Sequence, residues 1–523
     1  MIHRRHILAT AAALAAPHVA RGQDNRVLRF VPRSPLALLD PVWTTETATR
    51  AFALQIFESL YSVDEKLNPH PQMAAGHTIE DGGKRWSIRL RDGLRFHDNE
   101  PVLARDCVTS INRWMKRDAV GKTLALRIDA LEAPDDRTIV FRLKKPFPQL
   151  PFALGKAQPN VLPMMPARLA AIDPSTQITD LVGSGPFRFA AKEFSAGSLA
   201  VATRFESYRP RDEKPNGTAG ARVAKLDRIE WRAMPDPGTA AAALMKGEVD
   251  WIETPLPDLL GQLRKNRDIV VDIADPHGNY MLLRPNHVSG PTANLGVRRA
   301  IMAALDPKEI MEAVTGGEPG AVTAPVGAYL PGSASDSRTA MERIGPKPAA
   351  TIKAMLAEAG YAGERLVLLH PADVTPVDAA FQVIVRRLAE AGFNVDDQVM
   401  DQATVVTRRN NREAPDKGGW SLIIANAPAA DHVSPMVALG LRTGAAAWIG
   451  WPENPREEDL RERWIDTADE AEQKRLAAEI QDICLTDVLY VPLGHYVLKS
   501  AWRSNVTGIL RASAPVMWNV SKG

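Results

Sequence analysis

The chain has 523 residues, of which 45% are hydrophobic and 24% are charged, values typical of a globular protein with material for several cores. Lys and Arg total 64 and Asp and Glu total 62, so the formal net charge is only +2. This balance argues against a nucleic acid or an anionic membrane surface as the partner.

The N-terminal segment has the pattern of an export signal. Arg4 and Arg5 precede an apolar run over residues 7–16, and the small residues Ala20 and Gly22 follow it. The run is shorter than the roughly 20 residues that a membrane-spanning helix needs. We predict a cleaved signal peptide over residues 1–22 and a product free in the periplasm. The arginine pair also fits a twin-arginine signal, and the choice between the two export routes stays open.

The first half of the mature chain shows short alternating segments. Residues 84–91 alternate apolar and polar side chains, and Asp92-Gly93 is a turn signal before Leu94 and Phe96. We therefore predict a hairpin that joins these two segments. Similar alternation predicts strands over residues 139–143 and 199–205.

The second half alternates between helical stripes and short apolar strands. Asp306-Pro307 predicts the start of a helix, and Gly316 predicts its end. Residues 366–369 form a short apolar strand, a helical stripe runs from Val377 to Leu388, and a second strand begins near Phe393. This order predicts a βαβ unit with two parallel strands.

Motifs of catalysis and of metal binding are missing from the sequence. It contains no GxxxxGK[ST], HExxH or CxxC, and Ser184 lacks the first glycine of a nucleophile elbow. We therefore expect neither an enzyme nor a cofactor or metal site. The two cysteines, Cys107 and Cys484, are expected to be buried free thiols, although one disulfide between them is the open alternative.

Several motifs together resemble the family 5 extracytoplasmic solute-binding proteins, the peptide and nickel receptors of ABC importers. The resemblance is densest over residues 86–98 and covers nearly all of the mature chain. The motifs that carry it are Leu39-Asp40-Pro41, Trp86-Ser87-Ile88-Arg89-Leu90-Arg91-Asp92-Gly93, Gly183-Ser184-Gly185-Pro186-Phe187, Gly247-Glu248-Val249-Asp250 and Val297-Arg298-Arg299-Ala300-Ile301. Asn99 stands where the family usually has Gly, and Asn also tolerates a left-handed turn.

The resemblance implies an α/β, two-lobed periplasmic-binding-protein fold of type II, with mixed sheets, a hinged cleft and an extra subdomain. Lobe I would consist of residues 23–52, 182–272 and 492–523, with an inserted subdomain over 53–181. Lobe II would consist of residues 273–491. The chain would cross the hinge near Asp272 and Pro492.

The resemblance also implies one candidate ligand group. Peptide receptors of the family hold the ligand's ammonium with an Asp in a short AD-x-x-x-P stretch, and Asp431 stands at this position here. A desolvated carboxylate opposite an ammonium would form a charge-assisted hydrogen bond. In the alternative interpretation, Asp431 only caps a helix that starts near Pro435.

Further candidate binding residues lie near Asp431 in the sequence. Arg408, Arg409 and Arg412 could bind a ligand carboxylate, although a solvated basic face is the alternative. Trp448 and Trp451 could form a stacking platform, although packed core residues are the alternative.

We expect a periplasmic ABC-importer receptor that captures a peptide or a similar amine-bearing solute by lobe closure. The closed form would deliver the solute to a permease in the inner membrane, and the receptor is expected to be a monomer. A nickel-chelate or haem receptor is the alternative within the family. A periplasmic hydrolase or a chaperone is the alternative from another class.

Overall fold

A computed structural model describes residues 26–523. The predicted signal peptide, residues 1–22 with the arginine pair, lies outside these residues. Within the described range, no helix combines the length and the apolar character that crossing a bilayer requires.

Residues 26–272 contribute the first group of elements. In chain order they are β1 Val27–Val31, α1 Thr47–Ile56, β2 Tyr61–Val63, β3 Pro69–Pro71, β4 Ala74–Glu80, β5 Arg85–Leu90, α2 Ala104–Met115, α3 Ala119–Arg127, β6 Ile128–Glu132, β7 Thr138–Leu143, α4 Leu150–Ala153, α5 Ala167–Ala170, β8 Phe187–Phe189, β9 Leu199–Arg204, β10 Arg228–Arg232, α6 Pro237–Lys246, β11 Trp251–Ile252, α7 Pro257–Lys265 and β12 Ile269–Asp272.

The remaining residues contribute the second group. In chain order they are β13 Asn279–Pro285, α8 Leu295–Ala304, α9 Pro307–Thr315, β14 Val322–Thr323, α10 Ala349–Glu358, β15 Arg365–Pro371, α11 Thr375–Glu390, β16 Asn394–Met400, α12 Gln402–Arg408, β17 Leu422–Pro428, α13 Pro455–Asp466, α14 Glu470–Thr486, β18 Val491–Tyr496, β19 Ser500–Arg503, β20 Val506–Thr507 and β21 Ser521–Lys522.

One lobe is built on a seven-stranded mixed sheet with the order β12-β19-β11-β1-β10-β9-β8. The N-terminal strand β1 lies parallel to both β10 and β11, and the C-terminal strand β19 lies between β11 and β12. The ring of Phe30 packs edge-on against Trp231 at 4.8 Å and against Trp251 at 5.1 Å. This lobe therefore combines both ends of the described chain, and we call it lobe I.

The other lobe, lobe II, is built on a six-stranded mixed sheet with the order β14-β18-β13-β17-β15-β16. The predicted βαβ unit is confirmed, because β15 and β16 are parallel and α11 connects them. The predicted helix start is also confirmed: Asp306 accepts hydrogen bonds from the backbone N–H groups of Lys308 and Glu309, and Gly316 ends α9 in a left-handed conformation.

A four-stranded antiparallel sheet with the order β4-β5-β7-β6 lies within the range expected for the inserted subdomain. The predicted hairpin is wrong, because β5 pairs with β4 and β7 and not with residues 94–96. That segment instead folds back on itself: Phe96 N–H donates to the carbonyl of Glu100, and Asn99 between them has φ +68°. The local turn chemistry was thus right, but the partner of β5 comes from further along the chain.

The chain passes between the two large sheets at two places in residues 26–523. It leaves the seven-stranded sheet after Asp272 and enters the six-stranded sheet at Asn279. It returns to the seven-stranded sheet between Tyr496 and Ser500. This is a few residues after Pro492, the position expected from the sequence, since Pro492 still belongs to β18 and pairs with Leu282. Which residues move together as a lobe stays a prediction.

A continuous apolar core connects the inserted segment to lobe II. Trp114 and Leu150 from the insert belong to the same buried cluster as Tyr280, Met436 and Trp464 from lobe II. The cluster also contains both cysteines, which are buried and free, as the favoured interpretation of the sequence expected.

Candidate functional site

The candidate site lies where lobe I meets lobe II, next to the first crossing between the sheets. Strand β17 ends at Pro428, and a 3₁₀ turn over Ala429–His432 carries Asp431. Helix α1 of lobe I brings Arg50 to this turn, and its Nη1 donates to Oδ1 of Asp431 at 3.2 Å. The amide nitrogen of Gln158 donates to the carbonyl of Ala430 at 2.9 Å. The turn is therefore held by helix α1 of lobe I on one side and by the inserted segment on the other.

The backbone explains why the turn stands at this place. Asn279 pairs with Pro428 across β13 and β17, and the N–H of Ala429 donates to the carbonyl of Gly278 at 2.9 Å. Gly278 has φ +62°, and a Cβ there would collide with the carbonyl oxygen of Tyr496. Only glycine fits this position. Because the N–H of Ala429 donates to the carbonyl of this glycine, the turn is bonded directly to the segment that joins the lobes.

The carboxylate of Asp431 is largely but not fully buried, and its charge is only partly compensated by neighbouring cations. Its side chain is 16% exposed. Burial raises its pKa above the usual range, Arg50 and Lys156 oppose this shift, and the negative charge of Asp275 adds to it. An additional cationic partner would stabilise the ionised form.

Asp431 does not cap a helix at Pro435. Residues 433–438 form turns without helical structure, and the carboxylate accepts from Arg50 instead. The helix-cap interpretation is therefore wrong, because no helix N-terminus exists there to need a cap.

Lys156 stabilises the loop that carries Gln158. Its ammonium group is fully buried, lies 2.9 Å from Asp118 Oδ2, and donates to the carbonyls of three consecutive residues, 158–160. Burial lowers its pKa, and the charge of Asp118 opposes that shift. The lysine therefore fixes the loop that presents Gln158, and its own charge is paired.

A second polar link joins the lobes near Arg33. Nε of Arg33 donates to Oε1 of Glu253 at 2.6 Å, and Nη1 donates across to Oδ1 of Asn279 at 3.3 Å. Burial lowers the pKa of Arg33, but the charges of Glu253 and Asp275 outweigh it, so the pKa is raised overall. These residues line a small pocket beside the crossing between the lobes.

Three buried polar atoms around Asp431 have no hydrogen-bond partner among the described residues. They are Nε of Arg50, Oε1 of Gln158 and Nδ1 of His432. Buried polar groups are normally hydrogen-bonded, so these three atoms could bond to polar groups from outside the chain.

The other predicted binding residues form a separate group in lobe II. Arg409 lies over the ring of Trp448 at 6.0 Å, and Arg412 lies over the ring of Trp451 at 4.6 Å. Trp451 in turn contacts the buried Trp420, with ring centroids 5.9 Å apart. We call Trp420, Arg409, Arg412, Trp448 and Trp451 the Arg–Trp cluster.

The Arg–Trp cluster and Asp431 do not form one site. Trp420 precedes β17 and Asp431 follows it, and a seven-residue strand spans roughly 20 Å. Arg408 is also engaged elsewhere, since it donates to Oε1 of Gln398 at 2.7 Å. Solute contact by Arg408, Arg409, Arg412, Trp448 or Trp451 stays a prediction.

Arg33, Arg50 and Gln158 were not predicted from the sequence. Arg50 carried a usable signal, because it is the one charged residue in the mostly apolar stretch from Ala48 to Ile56. Its partner could not be read, because 381 residues separate it from Asp431. Within residues 26–523, no group of three or more His, Cys, Asp or Glu side chains is arranged to hold a metal ion.

Comparison with known proteins gives one family. The model of bacterial extracellular solute-binding proteins, family 5 (middle), matches residues 68–444. A relative from Sinorhizobium fredii (strain NBRC 101917 / NGR234), described as the probable peptide ABC transporter periplasmic-binding protein y4tO, is 34% identical over 525 residues. That match covers 98% of each chain.

Two solved structures share the fold over nearly the full length. The dipeptide-binding protein from Pseudoalteromonas sp. SM9913, in complex with Met-Leu, has a TM-score of 0.79 at 19% identity and covers 95% of this chain and 100% of its own. The protein DppA from Helicobacter pylori, in complex with the peptide STSA, has a TM-score of 0.78 at 21% identity and covers 96% and 99%. The predicted fold class, an α/β periplasmic-binding-protein fold, is confirmed.

Proposed function

Because the chain belongs to bacterial extracellular solute-binding protein family 5, we propose that it is a periplasmic receptor of an ABC importer for a peptide or a similar amine-bearing solute. The family consists of receptors, so the chain is not an enzyme. The name of the S. fredii relative and the peptide complexes of two of the structural neighbours support a peptide-like solute.

The observation that carries this proposal is the position of Asp431. Its largely buried carboxylate belongs to lobe II but accepts a hydrogen bond from Arg50 of lobe I, so a solute bound there would contact both lobes. Binding energy at such a place shifts the equilibrium between open and closed forms toward the closed form. The net upward shift of its pKa supports an ammonium group as the missing partner.

The remaining parts of the proposal follow from this role. The closed receptor delivers its solute to a permease in the inner membrane, and it works as a monomer exported by the signal peptide at residues 1–22. A nickel-chelate or haem receptor is less favoured, because a carboxylate among hydrogen-bonding side chains suits an ammonium and the described residues offer no metal cluster.

The substitution Asp431→Asn tests the proposal. Asn keeps an oxygen that can accept from Arg50, so it removes the charge while keeping the contact between the lobes. Affinity for the solute that co-purifies with the protein should fall by a factor of roughly 30 to several thousand, or about 2–5 kcal/mol, measured by calorimetry.

A matched control is Asp401→Asn. Asp401 is an exposed N-cap whose side chain accepts from the N–H of Thr404, and Asn serves equally well at that position. The control should bind as tightly as the wild type. Equal affinities of wild type and Asp431→Asn would refute the ammonium role.

A further inference from the structure

The inserted subdomain contacts lobe II through a cluster of charged side chains. Arg127 is the last residue of α3, and Lys145 follows β7. Opposite them, Glu462 and Asp466 lie one turn apart at the end of α13. Nη2 of Arg127 donates to Oε2 of Glu462 at 2.5 Å and to Oδ1 of Asp466 at 3.0 Å, and Nζ of Lys145 donates to Oδ2 of Asp466 at 2.6 Å. We call these four residues the α3–α13 charge cluster.

Helix α13 by itself gains nothing from its two carboxylates. Like charges four residues apart on a helix repel each other, and a negative charge at the C-terminus of a helix opposes its dipole. Arg461 of the same helix lies 3.8 Å from Glu462, but it also pairs with Glu458. Among the described residues, the two cations that pair with Asp466 both belong to the insert. The insert therefore stabilises charges that are unfavourable in lobe II alone.

The side chain of Arg127 is only 2% exposed. Its Nη1 donates to the carbonyl of Thr123 at 3.0 Å, and its guanidinium group lies over the ring of Phe147 at 5.6 Å. Leu124 of the insert and Trp464 of lobe II belong to one buried apolar cluster. Separation of the two surfaces would expose apolar side chains and remove both carboxylates from the guanidinium, so the contact favours the arrangement in which the surfaces touch.

The chain connects the insert to lobe I alone. The insert is preceded by β1 and followed by β8, and both strands belong to the seven-stranded sheet. A buried ion pair also fixes it there, since Nη2 of Arg113 donates to Oδ2 of Asp40 at 2.7 Å. A hinge motion between the lobes therefore has to break the contacts at α13, while the pair of Arg113 and Asp40 stays intact.

We propose that the α3–α13 charge cluster is a latch that stabilises the closed form of the receptor without contacting the solute. The inference rests on the proposed function, in which lobe closure captures the solute, and on the predicted division, in which the insert moves with lobe I. Within the described range, none of the four side chains is hydrogen-bonded to Asp431, Arg50 or Gln158. The latch therefore shifts the equilibrium toward the closed form equally for every solute, and also in the absence of a solute. Because Glu462 and Asp466 are 40% and 31% exposed, salt should weaken it.

Small-angle X-ray scattering of the solute-free protein tests the latch directly. After dialysis to remove co-purified molecules, Arg127→Gln should have a larger radius of gyration than the wild type at low ionic strength. The wild type should expand toward the radius of this variant at about 1 M NaCl, where charges are screened beyond about 3 Å. Arg142→Gln is the matched control, because Arg142 pairs with Glu132 inside the insert at 2.8 Å, and it should keep the radius of the wild type. Equal radii of the wild type and Arg127→Gln would overturn the latch.

Affinity gives the second measure, with a library of free dipeptides as the probe. Native mass spectrometry identifies the members that the wild type binds, and calorimetry measures their affinities. Arg127→Gln should bind each of them at least ~10-fold more weakly. Lys145→Gln should lose about two- to fivefold, because the side chain of Lys145 is 45% exposed. Arg142→Gln should bind like the wild type, and an unchanged affinity in Arg127→Gln would contradict the inference.

Melting temperatures distinguish a latch from a permanent contact. A lower melting temperature of Arg127→Gln with unchanged radius and affinity would mean that the insert stays joined to lobe II, which would overturn the inference. If Arg127→Gln does not fold, Lys145→Gln and Asp466→Asn decide by the same measurements. Absence of any dipeptide bound to the wild type would refute the peptide receptor, whereas scattering needs no solute and would still decide the latch.

Discussion

Strand β17 has a cluster of charged and aromatic side chains at each end, and the two ends differ in what surrounds them. At its start, the Arg–Trp cluster is built within lobe II, and its arginines lie over aromatic rings. At its end, Asp431 accepts a hydrogen bond from Arg50 of lobe I, and the neighbouring His432 is buried against Tyr280. Residue types alone make both ends plausible binding sites. Among the described residues, a hydrogen bond to lobe I is found at the second end, so binding there can be coupled to closure.

The largest expected effect concerns the start of β17. Trp420 is fully buried, and its Nε1 donates to the carbonyl of Arg409 at 3.0 Å. Trp420→Ala should lower the free energy of unfolding by about 3–5 kcal/mol, because it leaves a large cavity and removes that bond. Denaturant unfolding measures this loss, and affinity for the co-purifying solute should stay unchanged. A large loss of affinity would move the binding site to this end.

An intermediate effect concerns the pH dependence of stability at the end of β17, where His432 lies. His432 stacks on Tyr280 with ring centroids 4.1 Å apart, and burial lowers its pKa to about 4. The unfolded chain then binds one more proton than the folded chain between about pH 6.5 and pH 4, so this side chain makes stability fall as the pH falls through that range. The titration of His432 contributes about 3 kcal/mol to this loss of stability.

The substitution His432→Phe keeps an aromatic ring and removes the titration. When the pH is lowered from 7 to 4, the free energy of unfolding of the wild type should therefore fall by about 3 kcal/mol more than that of the variant. Thermal unfolding at both pH values measures it. A difference independent of pH would mean that His432 can be protonated without loss of the folded structure.

The smallest expected effect concerns the exposed part of the Arg–Trp cluster. Arg412 lies over Trp451 but is open to solvent, and cation–π contacts at exposed sites contribute only about 0.5–1 kcal/mol. Arg412→Gln should lower the free energy of unfolding by no more than this and leave solute affinity unchanged. A loss of affinity of tenfold or more in this variant would show that the solute reaches the cluster.

The sequence by itself determined the local elements and the family. The βαβ unit over 365–400 followed from hydrophobic periods, and the start and end of α9 followed from Asp306 and Gly316. The motifs around residues 86–98 were sufficient for the family, and Asp431 was found because it stands in a short motif. These signals are local, since periodicity and capping depend on residues only a few positions apart.

Only the tertiary structure decided which residues meet. It paired β5 with β4 and β7 instead of its sequence neighbour, and it separated Asp431 from the Arg–Trp cluster by the length of β17. It also brought Arg50 to Asp431 across 381 residues of chain. Local patterns do not identify such pairs, because long-range contacts depend on how whole sheets and lobes pack. The position of Arg50 in a mostly apolar stretch marks it as unusual but does not name its partner.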